Sequence, residues 1–258
     1  MAGHLMWMER ASDGAFRICR SVAEIEAARA AGVIAGVMHM GGRGHRPRSR
    51  RASCISCDGA AFLGPVWSRP TIFGHGVPFR FPGTPDTGPG LTDAGKRLIR
   101  ACNDLKIVVD LSHMNEAGFN DIAALSDAPL IATHSNAHAV TPSTRNLTDR
   151  QLAMIRESGG MVGLNFATVF LREDGKRSAD MGWEPVLRHL DHLITHLGED
   201  HVGFGSDFDG AEIPQGIGDV AGLQNLIAAL QAHGYDAALI EKLAWSNWMG
   251  ALRRTWGA

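Results

Sequence analysis

The sequence has little cysteine, no strong excess of charge and no long apolar run, and each scarcity removes a class of protein. Only four of its 258 residues are cysteines, and they do not form the disulfide framework of a small secreted domain. The formal net charge of -2 gives no reason to expect nucleic acid or an anionic membrane as a partner. No apolar run approaches the ~20 residues of a membrane span, and no signal peptide is visible, so we expect a cytoplasmic protein.

What the sequence does contain is an alternation of short apolar runs with longer amphipathic segments. The apolar runs are near-continuous, which is typical of parallel strands covered on both faces. The predicted strands are Val33–Met38, Leu63–Trp67 (the weakest), Ile107–Leu111, Leu130–Thr133, Met161–Asn165 and Val202–Gly205. Helices are predicted over 21–31, 92–104, 115–125, 148–157 and 184–197, with further helices over 219–254 that break at Gly234.

This alternation over a single domain, residues 1–258, indicates an α/β fold. A (β/α)8 TIM barrel and an open doubly wound sheet both fit the pattern. No Gly-x-Gly-x-x-Gly motif follows the first predicted strand, which weakens the dinucleotide-binding form of the open sheet. About six strands are predicted, fewer than the eight of a closed barrel. Either two strands lie in weak segments or the chain lacks them.

Two segments interrupt the pattern. Residues 65–90 are rich in Pro and Gly, and we predict a long, functional loop there on the active face. Residues 41–61 contain five arginines, two cysteines and no apolar periodicity. This second segment occupies the place of a strand end, a helix and the approach to the next strand, so its composition is aberrant. Its single Cys-x-x-Cys has no second pair, and we assign it no zinc site.

Polar side chains follow three of the predicted strands. His113, His134 and Asp207 each lie within two residues of a strand end. The carboxyl ends of barrel strands converge on one face, and imidazole with carboxylate suits zinc or a similar divalent ion. We therefore predict a metal site with His113 and His134 as ligands. Arg145 lies in the loop after the His134 strand, where its guanidinium either binds a substrate carboxylate or braces the loop.

A second group of histidines has a spacing that can bind metal but a less favourable place. His189, His192 and His196 follow one another at intervals of three and four residues on one predicted helix. That helix would lie on the outside of a barrel, and we expect the three side chains to form a solvated face. His39 is ambiguous.

Several stretches together resemble the membrane (renal) dipeptidase family of zinc peptidases, in its bacterial branch. The resemblance covers nearly all of residues 62–258 and, more loosely, 14–40. The stretches that carry it are DLSHMN (110–115), ATHSNAHAVTPSTRNLTD (132–149), GGMVGLNF (159–166) and HVGFGSDFDGA (201–211), with LGPVWSRP and GLTDAGKRLI before them.

The resemblance implies a metallo-dependent hydrolase barrel with two zinc ions per subunit that hydrolyses dipeptides, in a protein that forms a homodimer. It implies that His113 and His134 bind one zinc ion, that Arg145 binds the substrate carboxylate, and that Asp207 handles protons near the bridging water. Trp67 stands where the family has a substrate-contacting histidine, so substrate preference is expected to differ.

The sequence departs from the family at the other metal position. The family's His-x-Asp pair on the first strand has no counterpart before Ala15, so we expect an N-terminally truncated chain. The bridging glutamate is expected in a context such as His-Met-Glu-Gly, and His39-Met40-Gly41-Gly42 stands there instead. We interpret residues 41–61 as a compensated frameshift, in the gene or in its sequencing. Re-sequencing the coding DNA tests this, because the alternative frame must encode Glu-Gly and an amphipathic helix.

Three functions follow as alternatives. The first is a zinc dipeptidase that is impaired, because two protein ligands retain one ion or none. The second is an inactive remnant or non-catalytic binding protein of the same fold. The third is another barrel amidohydrolase, but those enzymes usually carry a metal-binding lysine or a His-x-His at a strand end, and neither is found here.

Overall fold

Parallel strands, followed by helices, form the centre of the fold. The structure is a computed structural model that describes residues 2–42 and 59–257. The strands are β1 Phe16–Ile18, β2 Ile34–Gly36, β3 His39–Met40, β4 Phe62–Leu63, β5 Val108–Val109, β6 Ile131–Ala132, β7 Met161–Leu164 and β8 Val202–Phe204. Most of the aberrant segment 41–61, with its Cys-x-x-Cys, lies outside the described residues.

The helices fill the intervals between the strands and the C-terminal part of the chain. They are α1 Ala2–Ala11, α2 Val22–Ala30, α3 Asp93–Asp104, α4 Glu116–Leu125, α5 Asp149–Glu157, α6 Thr168–Leu171, α7 Glu184–Leu197, α8 Leu223–His233, α9 Ala237–Glu241 and α10 Asn247–Trp256. Short 3-10 turns cover Glu199–His201 and Val220–Gly222, and a π-helical turn, Lys242–Ser246, joins α9 to α10. In the described part of the chain, no helix is long and apolar enough to cross a membrane.

All strand pairings are parallel and follow the order of the chain. β1 pairs with β2, β4 lies between β3 and β5 and pairs with both, and β7 lies between β6 and β8 and pairs with both. A parallel bridge from Asp110 to Ile131 links β5 to β6. Because every strand points the same way, the carboxyl ends of β3 to β8 lie at one edge, where the predicted site residues follow them.

The core explains why the strand sequences are apolar throughout. Every residue of β4 to β7 is buried. One hydrophobic cluster packs α3, α4, α5, α7 and α8 against the strands, and a second packs α2 and α10 against them. Burial on both faces removes the alternation that a half-exposed strand would show.

The α/β class and the six predicted strands are confirmed, with shorter bounds. Closure into a (β/α)8 barrel stays a prediction, because among the described residues β8 pairs with β7 alone. The prediction missed α1, β1, β3 and the short helix α6. β1 has only three residues, one of them Arg17, so it has no apolar run, and its Ile18 amide donates to the Glu9 carboxylate of α1 at 2.7 Å.

Capping residues fix the loops that carry the site. Asn115 caps α4 two residues after His113, and Thr148 caps α5 three residues after Arg145 in a reciprocal box with Gln151. The Asn115 side-chain amide also donates to the carbonyls of Gly88 and Pro89. One residue therefore ends the loop after β5 and anchors the long loop 65–90, which contains no helix and only isolated bridges at residues 67, 69 and 76.

Candidate active site

A cavity of about 340 Å³ opens at the carboxyl ends of the strands. Side chains from β3 to β8 and from the long loop meet there. Its lining includes His39, Trp67, Phe79, Asp110, His113, His134, Thr168, Phe170, Arg177, Asp207 and Glu212. This volume falls within the usual range of small-molecule sites, which are concave and mostly apolar with a few convergent polar groups.

The two predicted metal ligands face each other in this cavity. The Nε2 atoms of His113 and His134 lie 3.1 Å apart, and their ring centroids are 5.0 Å apart. Two nitrogens bound to one tetrahedral zinc ion at 2.0–2.1 Å would be separated by about 3.3 Å. The pair is thus arranged as two ligands of one ion would be.

Both imidazoles are held in the neutral form. Burial, reinforced by the neighbouring Arg145 guanidinium, lowers the pKa of His113 well below its usual range and the pKa of His134 to about 4. A metal ligand must carry a free lone pair, so a neutral imidazole is the form that binds. At neutral pH, protons therefore do not compete with a metal ion for these two imidazoles.

Asp110 is a site residue that the prediction overlooked. Its carboxylate is buried and accepts hydrogen bonds from the backbone amides and hydroxyls of Ser112 and Thr133, at 2.6–3.0 Å. Burial alone would raise the pKa of Asp110, but nearby His134 and His39 and these hydroxyl bonds hold it below its usual range. Thr133 Oγ1 also lies 2.7 Å from His134 Nδ1, so Asp110 orients the outer nitrogen of that ligand through one hydroxyl.

Arg145 is almost fully buried, at 2% exposure. Its guanidinium donates to Ser135 Oγ at 3.0 Å and to the His134 carbonyl at 3.0 Å, and its Nε lies 3.2 Å from His113 Nδ1. Burial lowers its pKa to about 10, so it stays charged. No carboxylate in the described part lies within ion-pair distance of it. Arg145 does not itself line the cavity but contacts His113 and His134, which do. A buried cation without a close anionic partner is stabilised by a nearby carboxylate.

Asp207 follows β8 in a left-handed backbone conformation, with φ of 58°. Its Oδ2 accepts a hydrogen bond from the Asn165 side-chain amide at 3.1 Å. A non-glycine residue at positive φ is uncommon, and here that turn directs the carboxylate into the lining of the cavity. Asn165 follows β7, so two neighbouring strand ends position this group.

Aromatic side chains line the cavity beside His113. Trp67, from the long loop, packs against Phe79 with centroids 5.5 Å apart and against His113 at 5.8 Å. Neighbouring Ser68 places its hydroxyl 3.0 Å from His113 Nδ1. The Thr168 hydroxyl is buried next to the cavity and has no hydrogen-bond partner among the described residues. Sequence inspection missed Ser68 and Thr168, which carry no motif of their own.

In the described residues, the side of the cavity formed by β3 supplies no carboxylate. Gly41 and Gly42 line it where the family resemblance implies the bridging glutamate. A Cβ atom built on Gly41 would meet no atom of the described residues within 4 Å, whereas one on Gly42 would lie 2.3 Å from the Val66 backbone. Among residues 2–42 and 59–257, the site residues therefore fit one metal ion held by two imidazoles and do not fit a pair of ions.

The solvated face predicted for the α7 histidines is wrong for His189. That side chain is fully buried, and its ring accepts from the Ala137 amide and lies 3.2 Å from both Thr141 Oγ1 and the Leu171 carbonyl. Burial lowers its pKa to about 3. A neutral imidazole with both nitrogens bonded is satisfied in a core, and so periodicity alone misjudged it. His192 and His196 are partly exposed, as predicted.

Parallel strands with buried imidazoles and an acid at their carboxyl ends are the arrangement of a metal-dependent hydrolase. The profile of the family described as membrane dipeptidase, peptidase family M19, matches residues 3–256. The chain belongs to this family, and its class is that of the metallodipeptidases, as the sequence predicted.

Two solved structures agree with this assignment, and a curated relative is similar over most of its length. The chain is similar to a crystal structure described as dipeptidase AC, a metallopeptidase of family M19, at 68% identity and a TM-score of 0.97, over 100% of this chain and 74% of that one. A Rhodobacter sphaeroides metallopeptidase, liganded with a phosphinate mimic of the dipeptide L-Ala-D-Ala, is 68% identical with a TM-score of 0.96, over 99% and 73%. An uncharacterized protein from the pqqA 5' region of Klebsiella pneumoniae is 50% identical over 246 residues, 95% of this chain and 91% of the relative.

Proposed function

We propose that this chain hydrolyses dipeptides at the strand-end cavity with one zinc ion bound by His113 and His134. The observation that carries the proposal is the 3.1 Å separation of the two Nε2 atoms. It is supported by the lowered pKa of both rings, which keeps them available as ligands at neutral pH. When bound, the ion would polarise the scissile carbonyl and lower the pKa of a bound water.

The substrate's carboxylate is assigned to Arg145 and its side chain to the aromatic residues beside His113. The buried guanidinium, without a carboxylate partner in the described residues, favours an anionic ligand. Trp67 and Phe79 offer apolar surface across the cavity. The Thr168 hydroxyl, which has no partner in the described part of the chain, is assigned to bond the peptide unit. A dipeptide has these three features, which is why a dipeptide is proposed rather than a neutral amide.

Asp207 is assigned the proton transfers. Its carboxylate lies in the cavity lining and is oriented by the Asn165 amide. We assign it to accept the proton of the attacking water and to deliver it to the leaving amine. Accepting the proton of the water protonates the carboxylate, and delivering that proton to the amine returns the carboxylate to its starting form.

The second zinc ion of the family is left out of this proposal. Gly41 supplies no bridging carboxylate, and no step is derived through a second ion. Since the remaining ion has two protein ligands instead of the three usual in catalytic zinc sites, we propose weak zinc binding and a slow enzyme. The homodimer and the cytoplasmic location stay predictions.

The proposal is tested by following L-Ala-D-Ala hydrolysis with added zinc and with a chelator, in the wild type, His134→Asn and the exposed control His4→Asn. We expect zinc-dependent hydrolysis in the wild type and the control, at least about tenfold slower than in the Rhodobacter sphaeroides relative, and none in His134→Asn. Hydrolysis that survives either the chelator or His134→Asn would overturn the assignment of the metal site. Absence of hydrolysis at every zinc concentration would favour the inactive remnant.

A further inference from the structure

A second cluster of metal-binding groups lies away from the cavity, between helices α5 and α7. His192 and His196 are one helical turn apart on α7, and their rings stack with centroids 4.2 Å apart. Asp149, the first residue of α5, approaches them from the neighbouring helix. None of the three lines the strand-end cavity. This position on the outer helices separates the cluster from the proposed dipeptidase site.

The ligand atoms are close enough to share an ion. His192 Nε2 lies 2.7 Å from Asp149 Oδ1, and His196 Nε2 lies 3.9 Å from Asp149 Oδ2. One atom from each of the three residues lies within 4.8 Å of the other two. Ligands of one tetrahedral zinc ion are separated by about 3.3 Å. The side chains are 20–47% exposed, so small rotations suffice to close the set.

We propose that Asp149, His192 and His196 bind a divalent transition-metal ion that joins α5 to α7. Two imidazoles and one carboxylate are the donors that suit zinc, nickel, copper and cobalt, and they suit magnesium or calcium poorly. The helix holds the imidazoles at the i, i+4 spacing before any ion arrives, because residues four apart share a face. The remaining coordination positions face solvent, so the ion exchanges freely and is not a closed structural zinc.

The ion would stabilise the region next to the loop after β6, which carries Arg145. α5 begins four residues after Arg145, and α5 packs against α7. An ion bound only by the folded protein stabilises it by mass action. It would thereby hold the start of α5, where the loop after β6 ends. The site therefore has a stabilising role and takes no part in hydrolysis.

The alternative is that Asp149 only accepts a hydrogen bond from His192. His233 provides a matched control, since it is also a partly exposed histidine bonded to an aspartate, Asp191, at 2.9 Å. In the described residues His233 and Asp191 have no third metal-binding group. A simple ion pair would therefore make the two positions equivalent toward zinc.

Equilibrium zinc binding and thermal unfolding of the full chain test the proposal. We expect the wild type and His233→Asn to bind one more zinc ion than His192→Asn/His196→Asn. We also expect hundredfold zinc excess over the dissociation constant of this site to raise Tm about 5 °C more in the first two proteins. Equal stoichiometry and equal shifts in all three would overturn the proposal.

The single variant His196→Asn tests the proposal even if the double variant does not fold. His196 has no close hydrogen bond to Asp149, so His196→Asn leaves the His192–Asp149 contact intact. We expect this variant to keep the metal-free Tm of the wild type and to weaken zinc binding at this site about tenfold or more. Unchanged zinc affinity in His196→Asn would contradict the three-ligand site even if the double variant does not fold.

Discussion

The two sides of the cavity differ in how firmly their polar groups are held. On the side of β5 to β8, His113, His134 and Asp110 are connected by hydroxyls, amides and the Arg145 guanidinium. On the side of β3, Gly41 and Gly42 present bare backbone. The proposed metal ligands therefore lie on the side of the cavity that is stabilised by its own buried hydrogen bonds.

The largest expected effect on stability comes from removing Asp110, the shared hydrogen-bond acceptor on the side of β5 to β8. Asp110→Ala leaves the amides and hydroxyls of Ser112 and Thr133 without their buried acceptor. We expect the free energy of unfolding to fall by about 3–5 kcal/mol, measured by urea denaturation. The exposed Asp127 provides the control, because Asp127→Ala should change stability by less than about 0.5 kcal/mol. A loss below about 1 kcal/mol for Asp110→Ala would show that the side of β5 to β8 does not depend on this carboxylate.

Most of the site residues on the side of β5 to β8 could be predicted from the sequence, because the local strand pattern is enough to locate them. His113, His134 and Asp207 directly follow apolar strands, so strand prediction placed them at one edge. Asp110 could not be recognised in the same way, because an acid at the end of a strand points to the cavity or to its neighbours depending on partners from another strand. Thr133 is that partner, and it is 23 residues away.

The error at His189 has a similar origin. Helical spacing groups His189 with His192 and His196, yet only packing against Ala137 and Leu171 decides that the first is buried. Closure of the barrel stays a prediction, because among the described residues β8 pairs with β7 alone.

The second prediction concerns the pH dependence of the side of β5 to β8 in the metal-free protein. The pKa of His134 is about 4 in the folded state and about 6.5 in an unfolded chain. Between these values the unfolded state binds more protons, so stability falls as pH is lowered from about 6.5 to about 4. We expect this group to contribute a loss of about 2–3 kcal/mol, measured by urea denaturation at a series of pH values with a chelator present. His134→Asn should flatten the profile by that amount, and an identical slope in both proteins would contradict the assignment.

A smaller effect is expected from adding a carboxylate at Gly41, on the side of the cavity formed by β3. Position 41 has open space for a side chain, so Gly41→Glu should place a carboxylate beside the ion. We expect zinc binding at the strand-end site to tighten about tenfold, which is about 1.4 kcal/mol, measured by calorimetric titration of protein carrying His192→Asn/His196→Asn. Gly41→Gln is the matched control of equal size and no charge. Equal zinc affinities in the two variants would show that a carboxylate at position 41 is not enough to strengthen the site.

Zinc-edge anomalous diffraction from crystals of the zinc-loaded protein tests the central claim most directly. The claim is that His113 and His134 form the retained half of a binuclear site. We predict one anomalous peak in the cavity, about 2.0–2.1 Å from the Nε2 atoms of both residues. An absence of metal between the two rings, or two ions in the cavity, would contradict it.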